Sequence, residues 1–253
     1  LETGEPAGED YGKTLRMGNV SAKGLCVEDG QWSLHKVTLT ERYQVSQGAA
    51  VMQTDANLTG VTAVIDGRCE ADGMFTMSNT KLRIGETGSL GAMVTVKKAY
   101  ANEAKEKCYT IENHGVLSGY TMQMPEGTLY NEGLVKFHTI SSVKDFVNAG
   151  ENALLICNNF NQASKGKSRL EEDSVMIVRN QAVLYNGELA GGYFYQNEGC
   201  STALEGKVTQ GSDLLEGRAG LEFVQISVAE QEFNKWRAEL TAYDTTAKEL
   251  AEE

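Results

Sequence analysis

Apolar and polar residues alternate along most of this chain in short bursts that glycine interrupts. Val61-Thr-Ala-Val-Ile65, Met74-Phe-Thr-Met77, Leu82-Arg-Ile84 and Met93-Val-Thr-Val96 set the pattern. Leu134-Val-Lys-Phe137, Ala153-Leu-Leu-Ile156, Val175-Met-Ile-Val178, Val183-Leu-Tyr185 and Tyr193-Phe-Tyr195 continue it. Alternation with a period of two places successive side chains on opposite faces of a strand, and runs this short, closed by Asp-Gly, Ile-Gly or Asn-x-Gly, predict brief strands joined by tight corners.

The corners recur. Asn-x-Gly stands at Asn113, Asn131, Asn148 and Asn197, and the numbering advances by 18 and then 17 between the first three. From Asn148 to Asn180 the advance is 32, about two such steps, and from Asn180 to Asn197 it is 17 again. Asn and Gly tolerate left-handed backbone, so these positions are expected to be turns. A coil of two or three short strands plus corners takes about 17 to 22 residues and stacks on the next at about 4.8 Å, where equivalent asparagines can form an amide ladder. A second periodicity comes from the cysteines at 26, 69, 108, 157 and 200, spaced 43, 39, 49 and 43 apart. The first two sit in nearly the same phrase, GLCVEDGQWSL and GRCEADGMFTM, and GCSTALEGKV is a degraded third copy. The cysteines are therefore expected to form a column of small buried side chains two coils apart. The fold expected is all-β, a right-handed β-solenoid (parallel β-helix) with a C-terminal α-helix.

The segment VIDGRCEADGMFTMSNTKLRIGETGSLGAMVTV resembles bactofilins, whose β-helical cores run on I-D-G and I-G-x-x-G phrases. IENHGVLSGYTMQMPEGTLYNEGLVKF resembles repetitive bacterial surface β-helix proteins. These resemblances span about residues 60–225 and imply the solenoid. By analogy they imply a structural, adhesive or filament-forming role.

Three stretches depart from the pattern. Residues 1–18 read as a flexible lead-in to a solenoid over 19–226. The charged, alanine-rich residues 97–107 read as a short helix or exposed loop inserted between coils, and the polar residues 158–169 as a second inserted loop. From 227 to 253 the periodicity becomes helical. Ser227-Val-Ala-Glu230 is a capping box, and Phe233, Trp236, Leu240, Tyr243, Ala247 and Leu250 step by three and four along one stripe. This helix is expected to cap the stack or lie on it, or else to serve assembly with a neighbouring subunit through Phe233, Trp236, Leu240, Tyr243 and Leu250.

Composition narrows the function. A formal charge of -12 with only short basic runs works against nucleic-acid binding. No apolar run is long enough for a membrane span. The chain begins at Leu1 rather than Met, so it is expected to be a processed form or a recombinant product whose leading Leu-Glu-Thr-Gly is vector-derived. Five cysteines without a CxxC suggest neither a disulfide framework nor a zinc site. Gly166-Lys167-Ser168 lacks the upstream glycine of a P-loop, and the three histidines have no metal-ligand spacing. His114 reads as a solvent-facing corner residue. No cofactor and no metal are expected.

Asp66 and Asp72 are the weak candidates for a catalytic acid and base, as in polysaccharide-active β-helix enzymes. Tyr185, Tyr193 and Tyr195 near Gly191-Gly192 are the candidates for ligand stacking, with alternation putting Phe194 on the opposite side from Tyr193 and Tyr195. The function expected is non-catalytic: a cell-surface or secreted adhesin or surface-binding protein that meets a protein or polysaccharide through a flat β face. The alternatives are a self-assembling, homo-oligomeric cytoplasmic scaffold of bactofilin type and a polysaccharide-active enzyme.

Overall fold

The computed structural model describes residues 14–101, 108–150, 153–171, 174–189, 191–196, 201–204, 207–210 and 213–216. These residues form an all-β parallel solenoid of right-handed type with about nine turns. Coil 1 consists of β1 (Thr14–Arg16) and β2 (Val20–Val27), and coil 2 is one bent strand, β3 (Gln31–Val45). Coils 3 and 4 are β4 (Ala50–Thr59) with β5 (Thr62–Ile65), and β6 (Arg68–Ser78) with β7 (Lys81–Ile84). Coils 5 and 6 are β8 (Ser89–Lys98) with β9 (Ile111–Asn113), and β10 (Val116–Gln123) with β11 (Thr128–Asn131). Coils 7 and 8 are the long strands β12 (Leu134–Asn148) and β13 (Leu154–Leu170). Coil 9 is β14 (Val175–Leu184) with β15 (Gly187–Glu188), and coil 10 is β16 (Tyr193–Gln196), β17 (Ser201–Leu204) and β18 (Lys207–Gln210). The last described strand, β19 (Asp213–Glu216), runs antiparallel to β18, while every other pairing joins one coil to the next in parallel.

Register gives the turn length directly. Thr14, Gln31, Ala50, Arg68 and Ser89 align in succession, followed by Val116, Leu134, Leu154, Val175 and Tyr193. Their numbers advance by 17, 19, 18, 21, 27, 18, 20, 21 and 18. The longest step is the coil that carries the expected insertion at 97–107, of which 97 and 98 end β8 and 102–107 lie outside the described residues. Each coil has three walls. The first begins at these aligned residues, the second carries Val37, Ala56 and Phe75, and the third carries Tyr43, Ala63 and Leu82. The first coil already begins at Thr14, inside the expected lead-in. Residues 158–169 are not an inserted loop. They belong to β13 and pair with β12, and only between Gln162 and Lys167 does coil 8 carry three residues more than coil 7 has between Val143 and Asp145. Polar strand side chains, most of them outward and Gln162 and Ser168 buried, account for that composition rather than a loop.

The core is the inside of the coil. One inward column of the first wall runs Val51, Cys69, Leu90, Leu117, Val135 and Leu155, each fully buried. In the third wall the column Val45, Ile65, Ile84 continues as Asn113, Asn131 and Asn148 and ends on Leu170. The three asparagines are the expected ladder. Asn113 Nδ2 donates to Asn131 Oδ1 and Asn131 Nδ2 to Asn148 Oδ1, both at 2.6 Å, and Asn148 Nδ2 ends the run on the Val175 carbonyl at 2.8 Å. All three are fully buried, so the amides face the core; their nitrogens are satisfied by neighbouring amides and backbone carbonyls, while Asn113 Oδ1, at the start of the run, meets no donor among the described residues. Asn180 is not a rung: it is exposed in β14 and Leu170 stands above Asn148.

The asparagines owe their place to this stacking, because none of the three has positive φ. The glycines two residues after Asn113 and Asn131 matter for close approach. A Cβ on Gly115 would lie 2.2 Å from the Gly88 carbonyl oxygen, and one on Gly133 would lie 2.2 Å from that of Gly115. Gly67, Gly88, Gly115 and Gly133 thus form a corner where each coil rests directly on the backbone of the previous one.

The cysteines do not form a column. Cys26 aligns with Gln44 in the third wall and is half-buried, Cys69 lies in the first wall beside Val51 and Leu90, and Cys157 aligns with Phe137 and Val178. The repeated phrase encodes only "strand, Asp-Gly corner, strand". Asp29-Gly30 is the corner into the first wall of coil 2, whereas Asp72-Gly73 is a bend inside β6. Cys200 and the expected helix over 227–253, including Phe233, Trp236, Leu240, Tyr243 and Leu250, lie outside the described residues. Among the described residues no helix is long and apolar enough to cross a membrane.

Candidate binding face

One outward column of the second wall is built from uncharged polar residues. Ser21, Thr38, Asn57, Thr76 and Thr95 align coil by coil, and the column continues through Gln123, Ser141 and Asn161. All eight are exposed or half-exposed. Parallel pairing repeats them at about 4.8 Å along the axis. Alternation explains why they face out: Val37, Ala56, Phe75, Val94, Met122 and Ile140 fill the inward positions one residue earlier. Two residues further along the strand, about 6.6 Å away, Thr40 and Thr59 are exposed and Thr59 aligns with Ser78. In a chain with a net charge of -12, eight consecutive rungs without a charge define a face of its own.

At coils 6 to 8 this face meets an exposed aromatic pair. Between Ser118 and Met122, coil 6 carries one residue more than coil 5 has between Gly91 and Val94. The extra residue lifts Tyr120 out of the corner, 63% exposed. Gly119 makes this bend possible, since a Cβ there would lie 1.9 Å from the Ala92 carbonyl oxygen. The Tyr120 ring stacks on His138 of the next coil with centroids 4.6 Å apart and 13° between planes. Next to the pair, Thr121, Thr139 and Asn159 align, with Asn159 Nδ2 donating to Thr139 Oγ1 at 3.3 Å. An apolar ring face beside hydroxyl and amide groups at fixed spacing is suited to a ligand with apolar C–H faces and equatorial hydroxyls.

The third wall carries the charged cluster. His114 Nδ1 lies 2.6 Å from Glu132 Oε2, and Nε2 lies 3.0 Å from Glu112 Oε1; Glu112 also pairs with Lys81 at 3.4 Å. Tyr130 stacks on Tyr109 at 4.3 Å and donates its hydroxyl to Glu132. Both ring nitrogens of His114 meet acceptor-only carboxylates, so both donate when the ring is imidazolium. Burial pushes the Glu112 carboxyl up, but the His114 hydrogen bond and the Lys81 charge more than offset this and hold it below the usual range. His114 is therefore not a bare solvent-facing corner residue. It ties coil 5 to coil 6.

Inside the coil, Tyr43 Oη lies 3.3 Å from Cys69 Sγ and donates to Gln53 Oε1 at 3.4 Å. Burial pushes the Tyr43 hydroxyl well above its ordinary value and the Cys69 thiol up to about 12. Neither is a nucleophile at neutral pH.

Asp66 and Asp72 are not brought together. Asp66 sits at the corner before β6, with Oδ1 close over the Gly85 backbone, and Asp72 is exposed at the bend within that strand. The intervening strand residues Arg68 to Ala71 alone span about 10 Å at roughly 3.3 Å per residue, already more than a carboxylate pair working on one sugar uses. Tyr185 is half-buried in the turn after β14, its amide donating to Gln162 Oε1 at 2.9 Å. Tyr193 and Tyr195 are in β16, where Phe194 between them is buried. The Tyr120 and His138 pair escaped the sequence reading, although their separation equals the step from Asn113 to Asn131 and would have flagged it. Among the described residues no group of His, Cys, Asp or Glu is placed to hold a metal ion. Compared with known protein families, curated proteins and solved structures, the chain matches none.

Proposed function

We propose that this chain is a non-catalytic surface-binding protein, secreted or displayed at a cell surface, that docks on an uncharged polysaccharide through the second wall. The supporting observation is the unbroken column from Ser21 to Asn161, flanked at coils 6 to 8 by the exposed Tyr120 and His138 stack. The column offers hydrogen-bond donors and acceptors in register, and a ligand lying along it desolvates no ionic side chain of the column itself. That suits a neutral polymer better than an acidic one, which the net charge of -12 would repel. Residues 227–253 complete this reading as an amphipathic helix that lies on the chain's own solenoid.

The test is retention on insoluble neutral polysaccharides, with an acidic polysaccharide for comparison. Binding to at least one neutral polymer is expected. Tyr120→Ala should weaken it by about 10- to 30-fold, the loss of one aromatic anchor worth roughly 1.5–2 kcal/mol. Absence of retention on every neutral polymer, or retention that Tyr120→Ala and Thr76→Glu leave unchanged, would sink the proposal.

A further inference from the structure

The outward side of the first wall changes character halfway along the stack. In coils 2 to 5 its aligned positions are Gln31, Ala50, Arg68 and Ser89 in one column, and Ser33, Met52, Glu70 and Gly91 in the next. From coil 6 the first column reads Val116, Leu134, Leu154 and Val175, and from coil 8 the second reads Ile156 and Ile177. These are outward residues, since Val135, Leu155 and Met176 fill the core between them. They nevertheless form a separate apolar cluster in which Leu134 is 1%, Leu154 3%, Ile156 6% and Val175 8% exposed. A residue pointing away from a solenoid wall is buried only if something lies over that wall. Among the described residues no element does so, because all pairings join successive coils apart from the β18 and β19 hairpin on the third wall.

We propose that the cover is this chain's own C-terminal segment, an amphipathic helix over residues 228–250 lying along the outer first wall of coils 6 to 10 with Phe233, Trp236, Leu240 and Tyr243 against Leu134, Leu154, Ile156 and Val175. The proposal goes beyond the polysaccharide reading, which concerns a different wall. Lengths agree. A helix from Phe233 to Leu250 is about 26 Å long at roughly 1.5 Å per residue, and the rungs from Val116 to Tyr193 cross four coil steps, about 19 Å at roughly 4.8 Å each. The stripe therefore covers the column with roughly one rung to spare. The described strands end at Glu216, and residues 217–227 reach up to about 36 Å when extended, enough to pass from the third wall to the first. The character of the surface also agrees, because the apolar column begins where the polar one stops.

The chain has two tryptophans, Trp32 and Trp236, so full-length Trp32→Phe reports on Trp236 alone. Expected are blue-shifted emission and acrylamide quenching several-fold slower than for a free indole, both independent of protein concentration. Ile177→Lys, at a half-buried position of the patch, and Leu240→Lys, on the segment itself, should each shift the emission to the red and raise quenching several-fold while the far-UV circular dichroism of the β fold persists. Leu240→Lys keeps the test decisive if Ile177→Lys does not fold. Trp236 as accessible as a free indole in the parent, or unmoved by Leu240→Lys, would overturn the proposal. So would protection that disappears on dilution, since the cover would then be a second copy.

Discussion

Replacing Asn131 tests whether the amide ladder contributes energy or merely fills space. Asn131 accepts from Asn113 Nδ2 at 2.6 Å and from the Gly133 amide at 3.2 Å, and donates to Asn148 Oδ1 at 2.6 Å and to the Gly133 carbonyl at 2.9 Å. In Asn131→Ala, Asn148 Oδ1 loses that donor, and Asn113 Nδ2 keeps only the longer bonds to the Gly115 and Leu134 carbonyls, 3.3 and 3.0 Å. Stranding a buried polar group costs about 1–3 kcal/mol, so one full orphan, one weakened donor and the small cavity come to about 3–5 kcal/mol. Asn131→Asp separates hydrogen bonding from volume. The carboxylate still accepts from Asn113, but it faces Asn148 Oδ1 with a second acceptor and buries a charge. Its folded pKa is therefore raised above the unfolded value of about 3.9. The penalty is then full at neutral pH and shrinks as pH falls through the folded pKa, where the protonated acid can donate to Asn148. Urea unfolding followed by far-UV circular dichroism, at several pH values and with slopes compared to detect partial unfolding of the stack, measures both effects. An Asn131→Ala loss under about 1 kcal/mol, or an Asn131→Asp deficit that does not shrink on acidification, would refute the reasoning.

Gly133→Ala should destabilise by at least about 2–3 kcal/mol, because its Cβ meets backbone atoms that have no room to move, while Gly91→Ala should be nearly neutral, its nearest neighbours being the Glu70 side chain at 3.7 Å and the Ser118 hydroxyl at 3.8 Å; thermal melts of the two variants check this. Alkylation of the native protein followed by peptide mass spectrometry should label half-buried Cys26 and Cys108 and spare buried Cys157 and Cys69, whose thiol is pushed up to about 12; labelling of Cys69 as fast as Cys26 would contradict the closed core. Because the Glu112 pKa is depressed in the folded state, its contribution is present above the unfolded value of about 4.3 and is lost as pH falls through the folded one. Glu112→Gln should thus cost at most about 1 kcal/mol near pH 7, since the pair is partly solvent-screened, and less and less as pH falls through the depressed folded pKa, as read from stability against pH.

The fold was legible where the sequence period equals the coil. The steps between Asn113, Asn131 and Asn148 equal the lengths of the coils between them, and buried amides must meet one another. The cysteines misled because the repeated phrase describes a corner, and a three-walled coil has several corners per turn. Extrapolating from Asn148 to Asn180 failed because Asn148 aligns with Leu170 and Arg169 with Glu188, so the second rung falls about nine residues past Asn180, and the three extra residues before Lys167 supply only part of that lengthening. The binding face was hard to read for a similar reason. Its members come one per coil from coils of unequal length, so Ser21, Thr38, Asn57 and Thr76 line up only once the register is known. Tyr185, Tyr193 and Tyr195 drew attention by clustering in sequence, whereas a site on a solenoid gathers residues about one coil apart.

The direction in which a polymer would lie on the second wall follows from the same geometry. Across the strand the wall offers few outward positions before a corner, and the column beside Thr38 and Asn57 carries Lys36 and Asp55. Along the axis the uncharged column runs eight rungs, about 34 Å at roughly 4.8 Å per step. An axial ligand anchored at Tyr120 in coil 6 therefore reaches Thr38 in coil 2, about 19 Å away, whereas a transverse ligand does not. Thr38→Glu and Gln123→Glu place the same charge far from and close to the anchor on exposed or half-exposed positions. Each should weaken retention on the neutral polysaccharide, with the parent fold intact by circular dichroism. If Gln123→Glu abolishes binding and Thr38→Glu leaves it untouched, the polymer crosses the coils and the long column serves the wall rather than the ligand.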